Sequence, residues 1–396
     1  MAKKTIRDID VSGKKVLVRV DFNVPLDESG GVADDTRIRA SLPTLRYLLD
    51  HGASLIVMSH LGRPKGKVVD SMRLTPVAAR LKELLGTEVR KTETVIGDEV
   101  DRAGADLKPG DVLLLENLRF EPGEEKNDPG LAGALAGLAD VYVNDAFGAA
   151  HRAHASVTGV AERLPAVAGL LMEEEVRVLQ GLLTAPERPF VGVLGGSKIS
   201  DKLKVIGRFQ ELVDTLLIGG GMCFTIFKSQ GMEIGKSLCE DELLQEVGEV
   251  MSRSAGKRAE ILLPTDLVVA SDFKEDADSR IVDAGAIPAG WMGLDIGPRT
   301  IFDYGKAIAG ARTIFWNGPM GVFEWDRFAA GTRAVAEAIA ASSAIKVAGG
   351  GDTIVAIERY GLADSFTHIS TGGGASMELL EGKTLPGVEV LQDAEA

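Results

Sequence analysis

Residues 16–23 read VLVRVDFN, a short apolar run that ends in polar side chains. Runs of the same kind recur in the first half of the chain as SLIVM (54–58), DVLLL (111–115) and DVYV (140–143). The second half contains PFVGVL (189–194), DTLLI (214–218), ILLP (261–264), TIFW (313–316), AIKVA (344–348) and FTHIS (366–370). Near-continuous apolar strands that alternate with helical segments are typical of parallel sheets covered on both faces. Two groups of such strands predict an α/β protein with two doubly wound, Rossmann-like domains.

The length of 396 residues agrees with this division, because a chain of that size exceeds one ordinary core. Residues 170–183 have the pattern of a helix, and 185–189 form a Pro-interrupted break before the next strand. We therefore predict that the two domains join there, through a helix that serves as a hinge.

The overall charge limits the possible partners. A net charge of −14 argues against a nucleic-acid surface, and no apolar run approaches the roughly 18 residues of a membrane span. The start, MAKKTIRDID, has no apolar stretch behind its basic residues, so we expect no secretory signal. Two cysteines outside any CxxC pair fit a reducing compartment, and we expect a cytoplasmic protein.

Basic and polar side chains follow the strands of the first half at the points where those strands end. Ligands bind at the carboxyl ends of strands in open α/β sheets. The residues concerned are Asp21, Asn23, His60, Arg63, Arg119 and Arg152, with Arg37 at the start of the next helix. Each basic residue taken alone is most simply a surface charge. Their joint occurrence at several strand ends instead predicts an anion site, in which guanidinium groups bind phosphate.

Glycine clusters follow four strands of the second half. They are Gly195-Gly196, Gly219–Gly221, Gly349–Gly351 and Gly372–Gly374, each before a predicted helix. Glycine lets a backbone approach a bulky ligand, and a helix N-terminus offers free N–H groups to phosphate. The pattern predicts a nucleotide-phosphate site, although no GxGxxG fingerprint occurs.

The segment GGSKISDKLKVIGRFQELV (195–213) predicts a helix whose lysines have two environments. Lys204 falls on the solvent face with Arg208 and Glu211, whereas Lys198 and Lys202, four residues apart, project together near the apolar stripe. A bound polyanion would explain this pair. The alternative is that both lysines snorkel at a helix start.

Two acidic residues have a functional and a structural interpretation. Asp352, after the third glycine cluster and before Thr353, can cap the following helix, face a nucleotide-bound Mg²⁺, or do both. Glu324 follows the strand that ends at Asn317, and it is either a ligand for ribose hydroxyls or a surface acid.

Several segments resemble the phosphoglycerate kinase family in the order in which that family has them. They are KVLVRVDFNVP (15–25), SHLGRP (59–64), LENLRF (115–120), NDAFGAAHRAHAS (144–156), LGGSKISDK (194–202), WNGPMGVFE (316–324), GGGDT (349–353) and STGGGAS (370–376). The resemblance runs from residue 15 to 376. Ser197 and Ala149 depart from the family's common residues, and neither position carries a charge that the mechanism needs.

The resemblance implies a domain plan and site residues. It implies a 3-phosphoglycerate-binding domain (1–170), a hinge helix (171–185), a nucleotide-binding domain (186–375) and a C-terminal segment packed on the first domain (376–396). The residues implied for 3-phosphoglycerate or 1,3-bisphosphoglycerate are Asp21, Asn23, Arg37, His60, Arg63, Arg119 and Arg152. Those implied for ATP or ADP with Mg²⁺ are Lys198, Lys202, Gly293, Asn317, Glu324, Gly350, Gly351, Asp352 and Thr353.

The expected reaction is in-line phosphoryl transfer after domain closure. Arg37, Lys198 and the N–H groups of Gly373 and Gly374 are the predicted catalytic groups, with Asp352 at the metal. The resemblance also favours a monomer. Two alternatives stay open on the residues alone: a nicotinamide-dependent dehydrogenase and a catalytically silent anion-binding module.

Overall fold

The computed structural model describes residues 2–254 and 256–394 and forms two compact units. The first unit contains the chain up to Arg177 together with Lys383 onward, and the second runs from Val178 to Gly382. The two six-stranded sheets, one in each unit, are parallel, which confirms the predicted fold class.

The sheet of the first unit has the strand order β3-β4-β2-β1-β5-β6. Its strands are β1 (Lys15–Arg19), β2 (Ser54–Met58), β3 (Val89–Lys91), β4 (Val112–Leu114), β5 (Val141–Asn144) and β6 (Ala166–Ala168). The sequence analysis missed β3 and β6: β3 contains two basic residues, and β6 consists of two alanines and one valine.

Thirteen α-helices occur in the described parts of the chain. They are α1 (Thr36–Asp50), α2 (Thr75–Leu85), α3 (Asp98–Ala105), α4 (Pro129–Ala136), α5 (Leu170–Thr184), α6 (Leu203–Leu212), α7 (Met222–Ser229), α8 (Leu244–Ser252), α9 (Pro298–Ala309), α10 (Ala330–Ala341), α11 (Gly351–Arg359), α12 (Gly374–Leu380) and α13 (Pro386–Glu389). Helix α5 coincides with the helix predicted over 170–183.

Helix α1 shows how the sequence builds the first unit. Its apolar residues Ile38, Leu42, Leu45 and Leu48 recur at helical spacing and are all buried. They belong to one core with both neighbouring strands β1 and β2. Burial of that face fixes the start of the helix, and therefore Arg37, beside the carboxyl end of the sheet.

The second unit contains a parallel sheet and a smaller antiparallel one. The parallel sheet has the order β15-β14-β13-β7-β8-β9 and the antiparallel sheet has the order β11-β10-β12. The strands are β7 (Phe190–Leu194), β8 (Thr215–Ile218), β9 (Glu260–Leu262), β10 (Asp266–Ala270), β11 (Ser279–Asp283), β12 (Met292–Ile296), β13 (Thr313–Asn317), β14 (Ile345–Gly349) and β15 (His368–Ser370). The sequence analysis missed the antiparallel sheet: β11 is largely exposed and lacks an apolar run, whereas β10 is a mostly buried apolar run that was overlooked.

The C-terminal segment contacts the first unit. The backbone N–H of Gly387 donates to the carbonyl of Ala150 at 2.8 Å, and Asn144 Nδ2 donates to the carbonyl of Gly387 at 2.9 Å. Helix α12 belongs to the second unit, so the units meet in sequence at Lys383, beyond the predicted boundary at 375.

No helix within the described ranges is long and apolar enough to cross a lipid bilayer.

Candidate active site

The first unit collects the predicted anion-binding residues at the carboxyl edge of its sheet. Strands β1, β2, β4 and β5 are parallel neighbours, so the segments after them emerge side by side. The side chains at this edge interact through hydrogen bonds and charges. Asp21, which follows β1, is the first of them along the chain.

Asp21 binds Arg37 directly. Arg37 Nη1 lies 2.5 Å from Asp21 Oδ2, and about a third of the Arg37 side chain stays exposed. Burial works against the charged form of the carboxyl group, but the interaction with His60 and the charges of Arg37 and Arg19 outweigh it and lower the pKa of Asp21. The carboxylate thus binds Nη1 of the guanidinium and leaves its other N–H groups available to a ligand.

His60 is neutral and has a defined tautomer. Burial, with the charges of Arg19, Arg119 and Arg152, lowers its pKa well below the ordinary value. Arg19 Nη2 lies 3.1 Å from His60 Nδ1. Because a guanidinium can only donate, Nδ1 must accept, and the ring proton resides on Nε2. His60 can therefore donate a hydrogen bond to an anion.

Arg19 is a site residue that the sequence analysis missed. Its side chain is only 1% exposed, although it lies within the apolar run VLVRV. A charged residue inside a buried strand needs partners, and Arg19 Nε donates to Ser156 Oγ at 3.0 Å, which in turn donates to Glu124 Oε1 at 2.6 Å. An arginine interrupting a buried strand is the signal that could have revealed it.

Arg119 and Asn23 organise the turn that carries Arg63. Asn23 Oδ1 accepts from the Gly62 N–H at 2.8 Å, and Arg119 Nη1 donates to the Gly62 carbonyl at 2.6 Å. Arg63 itself is exposed and makes no hydrogen bond or ion pair with any described residue. Its guanidinium is free to bind a ligand.

Arg152 completes the set of cations. Its Nε lies 3.1 Å from His151 Nε2. Burial, together with nearby arginine charges, lowers the pKa of His154 to about 4. The cluster therefore concentrates arginine charge, while its two buried histidines, His60 and His154, stay neutral near pH 7.

The second unit forms a small polar cavity at the carboxyl edge of its parallel sheet. The cavity has a volume of about 150 Å³. Its lining includes seven of the residues predicted for the nucleotide: Lys198, Lys202, Asn317, Gly350, Gly351, Asp352 and Thr353. Glycine backbones and two lysines around one small space are suited to phosphate groups.

The predicted reason for the pairing of Lys198 with Lys202 was wrong. Helix α6 begins at Leu203, and Lys202 is its N-cap, so the two lysines lie in the preceding turn rather than on one helical face. They line the same cavity because the turn folds around it. Lys204, Arg208 and Glu211 are exposed, as predicted.

Asn317 and Thr353 are buried residues that line the cavity. Asn317 Nδ2 donates to the carbonyl of Gly349 at 2.6 Å, while its Oδ1 accepts from Lys202 Nζ. Thr353 Oγ1 accepts from the N–H of Gly318 at 2.7 Å. Asn317 thus positions Lys202, whose pKa is lowered by burial.

Gly350 needs to be glycine. Its φ is +96°, and a Cβ there would lie 2.6 Å from Asn317 Nδ2. Gly351, by contrast, has open space in place of a Cβ. This backbone shape places the start of α11 against the cavity.

Asp352 does not cap helix α11, which corrects one of the two interpretations of this residue. The N-cap is Gly350, and no side-chain cap bond is present there. Asp352 is exposed and lines the cavity. A free carboxylate beside phosphate-sized space fits Mg²⁺, which usually takes one or two carboxylates together with phosphate oxygens.

A larger cavity of about 520 Å³ adjoins the polar one, since both are lined by Gly196, Ser197 and Asp352. Gly293 and Glu324 also line it. Its remaining wall is mainly apolar and was not predicted: Phe224, Leu238, Leu267, Phe273, Met292 and Met320 are among its residues. The volume suits a nucleoside. Several of these residues come from the loops and strands of the antiparallel sheet, which the sequence did not reveal.

Gly373 and Gly374 lie at the start of helix α12, after the edge strand β15. Neither lines the two cavities. Gly373 has φ of +51° and open space in place of a Cβ.

The fold and the two residue clusters define a class of protein: an α/β protein with an arginine-rich cluster on one parallel sheet and a cavity lined by glycines and lysines on another. Comparison with known proteins narrows this class to a family. The family model for phosphoglycerate kinase matches residues 6–383.

Relatives and solved structures agree with the family model. The chain is 59% identical over 396 residues to a phosphoglycerate kinase of Roseiflexus castenholzii, covering 100% of both chains. It is 58% identical over 393 residues to that of Moorella thermoacetica, covering 99% of this chain and 100% of the relative. The structure of phosphoglycerate kinase from Coxiella burnetii matches with a TM-score of 0.90 at 40% identity, covering 98% of each chain.

The chain belongs to the phosphoglycerate kinase family, as the sequence resemblance implied. The comparisons give no support to the dehydrogenase or to a silent anion-binding module.

Proposed function

We propose that this enzyme transfers a phosphoryl group reversibly between 1,3-bisphosphoglycerate and ADP, giving 3-phosphoglycerate and ATP in glycolysis and gluconeogenesis. The observation that carries the proposal is the presence, in one chain of this family, of an arginine-rich anion site and a separate glycine-lined phosphate cleft. Each site suits one of the two anionic ligands.

The anion site would hold 3-phosphoglycerate through charge and hydrogen bonding. The exposed guanidinium of Arg63, with Arg119 and Arg152, would bind the phosphate. Neutral His60 would donate from Nε2, and Asp21 and Asn23 would orient the ligand's hydroxyl and the surrounding turn. Arg37 is the residue we assign to the transferring oxygens, because Asp21 engages only part of its guanidinium.

The cleft of the second unit would hold the nucleotide. Lys198 and Lys202 would bind phosphate oxygens, with the N–H groups of Gly350 and Gly351. Glu324 would bind ribose hydroxyls, and Gly293 would contact the nucleobase. We assign Lys198 to the transferring phosphoryl group because its side chain is exposed. Gly373 and Gly374 stay candidates for the same role, one strand further out.

Mg²⁺ would be held by Asp352 and the nucleotide phosphates, and when bound it neutralises phosphate charge. The chain's own contribution is positioning and electrostatic stabilisation. A carboxylate nucleophile carries no proton to remove, so no general base is required. Since the two ligands belong to different units, transfer requires that they be brought together, for which we propose hinge motion near helix α5.

A coupled assay tests this function. ATP, Mg²⁺ and 3-phosphoglycerate are mixed with the protein, and NADH oxidation is followed through glyceraldehyde-3-phosphate dehydrogenase. We expect turnover that disappears when any one of the three is omitted or when EDTA removes Mg²⁺. A folded protein that shows no turnover with all three would refute the proposal.

We also propose that the enzyme is a cytoplasmic monomer with neither nucleic-acid nor membrane partners. Its net charge of −14 supports the absence of a nucleic-acid surface. Light scattering after size-exclusion chromatography tests the monomer, and a mass twice that of one chain would contradict it.

A further inference from the structure

The larger cavity of the second unit contains one basic side chain with no role in the proposed reaction. Among the described residues that line the 520 Å³ cavity, Lys236 is the only lysine or arginine. The acidic residues there already have functions. Glu324 and Asp352 are assigned to ribose and Mg²⁺, and the carboxylate of Asp295 accepts from two backbone N–H groups, at 2.9 and 2.7 Å.

The backbone of Lys236 is fixed to the wall that carries Gly293. Its N–H donates to the carbonyl of Trp291 at 2.7 Å. The next residue, Ser237, accepts at Oγ from the N–H of Gly293 at 2.9 Å. The three residues that the small phosphate cavity shares with this one, Gly196, Ser197 and Asp352, mark its phosphate end. Lys236 is held on a different wall, beside Gly293.

The ammonium group of Lys236 is not engaged. It forms no hydrogen bond or ion pair with the residues that the structure describes. Asp272, an acid near enough to feel its charge, is paired with Lys274 at 2.8 Å. The side chain of Lys236 is exposed and can therefore turn toward a ligand in the cavity.

Apolar side chains accompany Lys236 along the cavity. Leu238 and Phe273 line it although they are 50% and 57% exposed, and Phe273 packs on Trp325 with ring centroids 4.7 Å apart. Apolar groups of this kind cover the faces of a planar base without distinguishing one base from another. Base selection then depends on polar groups that reach the edge of the base.

We propose that Lys236 contacts the edge of the nucleobase and favours 6-oxopurine nucleotides relative to 6-aminopurine nucleotides. This inference rests on the proposed nucleotide site. An ammonium group can donate hydrogen bonds but cannot accept them. It can therefore bind the 6-oxo group of hypoxanthine or guanine, whereas the 6-amino group of adenine offers it only another donor. A contact with ring atom N7 would give no such preference, because both kinds of purine carry that acceptor. A contact with N1 would reverse the preference, because N1 accepts in adenine and carries a proton in hypoxanthine and guanine.

The test compares MgATP with MgITP, whose bases differ in the group at the 6-position and in the proton on N1. The kcat/KM for each is measured in the parent enzyme and in Lys236→Met, which keeps the length of the side chain and removes the charge. We expect the ratio of ITP to ATP to fall roughly threefold to tenfold, the range of one hydrogen bond. Lys236→Arg should retain most of the ratio, because it retains donors.

The matched control is Lys274→Met, a nearby lysine outside the cavity lining, which should leave the ratio unchanged. An unchanged ratio in Lys236→Met, which includes equal losses for ITP and ATP, would overturn the inference, and so would a higher ratio. Dissociation constants of ITP and ATP from calorimetry decide the same point without turnover. A parent enzyme that binds both nucleotides but shows no turnover would therefore refute the proposed function and leave this test intact.

Discussion

The two candidate sites are built by different means. In the first unit, charged and polar side chains hold one another: Arg19 orients the neutral His60, and Asp21 holds Arg37. In the second unit, the cavity is shaped mainly by backbone, with glycine at the position where a Cβ would collide with Asn317. The first site should therefore be sensitive to the loss of side-chain charge, and the second to the addition of side-chain atoms.

The largest effect should come from Arg37→Ala. We expect kcat to fall roughly 10³-fold, by analogy with arginines that stabilise the transferring phosphoryl group, with little change in nucleotide affinity. The coupled assay measures this. Arg39→Ala is the control, because Arg39 lies two residues further along α1 and pairs with Asp35 at 2.7 Å. Near-normal kcat in Arg37→Ala would remove Arg37 from the reaction.

Lys198→Ala should lower kcat by roughly 10²-fold, a value typical of one lost electrostatic contact to a transition state. Lys204→Ala should stay close to the parent, since Lys204 is exposed on α6 outside the cavity lining. The same steady-state measurement compares the two. Similar kinetics in both variants would contradict the assignment of Lys198.

Substitutions at two neighbouring glycines should affect different properties: one the stability of the fold, the other the binding of nucleotide. Gly350→Ala should lower the free energy of unfolding by about 1–3 kcal/mol, because alanine is strained at φ of +96° and meets Asn317. Gly351→Ala has free space and should keep the parent's stability while weakening MgADP binding, since its methyl group enters the cavity. Urea titration and calorimetry measure the two effects. Equal stability in both variants would show that backbone shape does not define this site.

The smallest effect concerns pH. The pKa of His154 is lowered to about 4 in the folded protein, so between pH 4 and 6.5 the unfolded chain binds more protons. Its contribution to stability is therefore present above pH 6.5 and is lost as the pH falls toward 4. The parent should lose unfolding free energy as the pH falls from 6.5 to 5. We expect His154→Gln to lose about 1 kcal/mol less than the parent over the same range. Identical pH profiles for the variant and the parent would contradict this.

The sequence allowed the parallel sheets and the strand-end residues to be predicted, because both depend on local patterns. Buried apolar runs mark the strands, and the polar residues after each strand gather at the carboxyl edge of a parallel sheet. The prediction failed where tertiary contacts decide the outcome. The start of α6 at Leu203 moved Lys198 and Lys202 out of a helix.

The role of Arg19 and the apolar cavity were equally hard to predict. Arg19 occurs in an apolar run, and only the fold places Ser156 and His60 beside it. The cavity wall draws on strands β10 and β12 of the antiparallel sheet, and no local pattern shows that these two strands pair. Contacts between residues far apart in sequence determine both features.

The most direct test of two separate sites is a crossed calorimetric titration. 3-Phosphoglycerate and MgATP are each titrated into Arg63→Ala and Lys198→Ala, two changes at exposed side chains that should leave folding intact. We predict that Arg63→Ala weakens the binding of 3-phosphoglycerate roughly tenfold or more and hardly affects that of MgATP, and that Lys198→Ala does the reverse, as expected for loss of one charged contact. A variant in which both ligands bind more weakly would contradict the division of binding between the two units. So would a variant in which only the ligand assigned to the other unit binds more weakly.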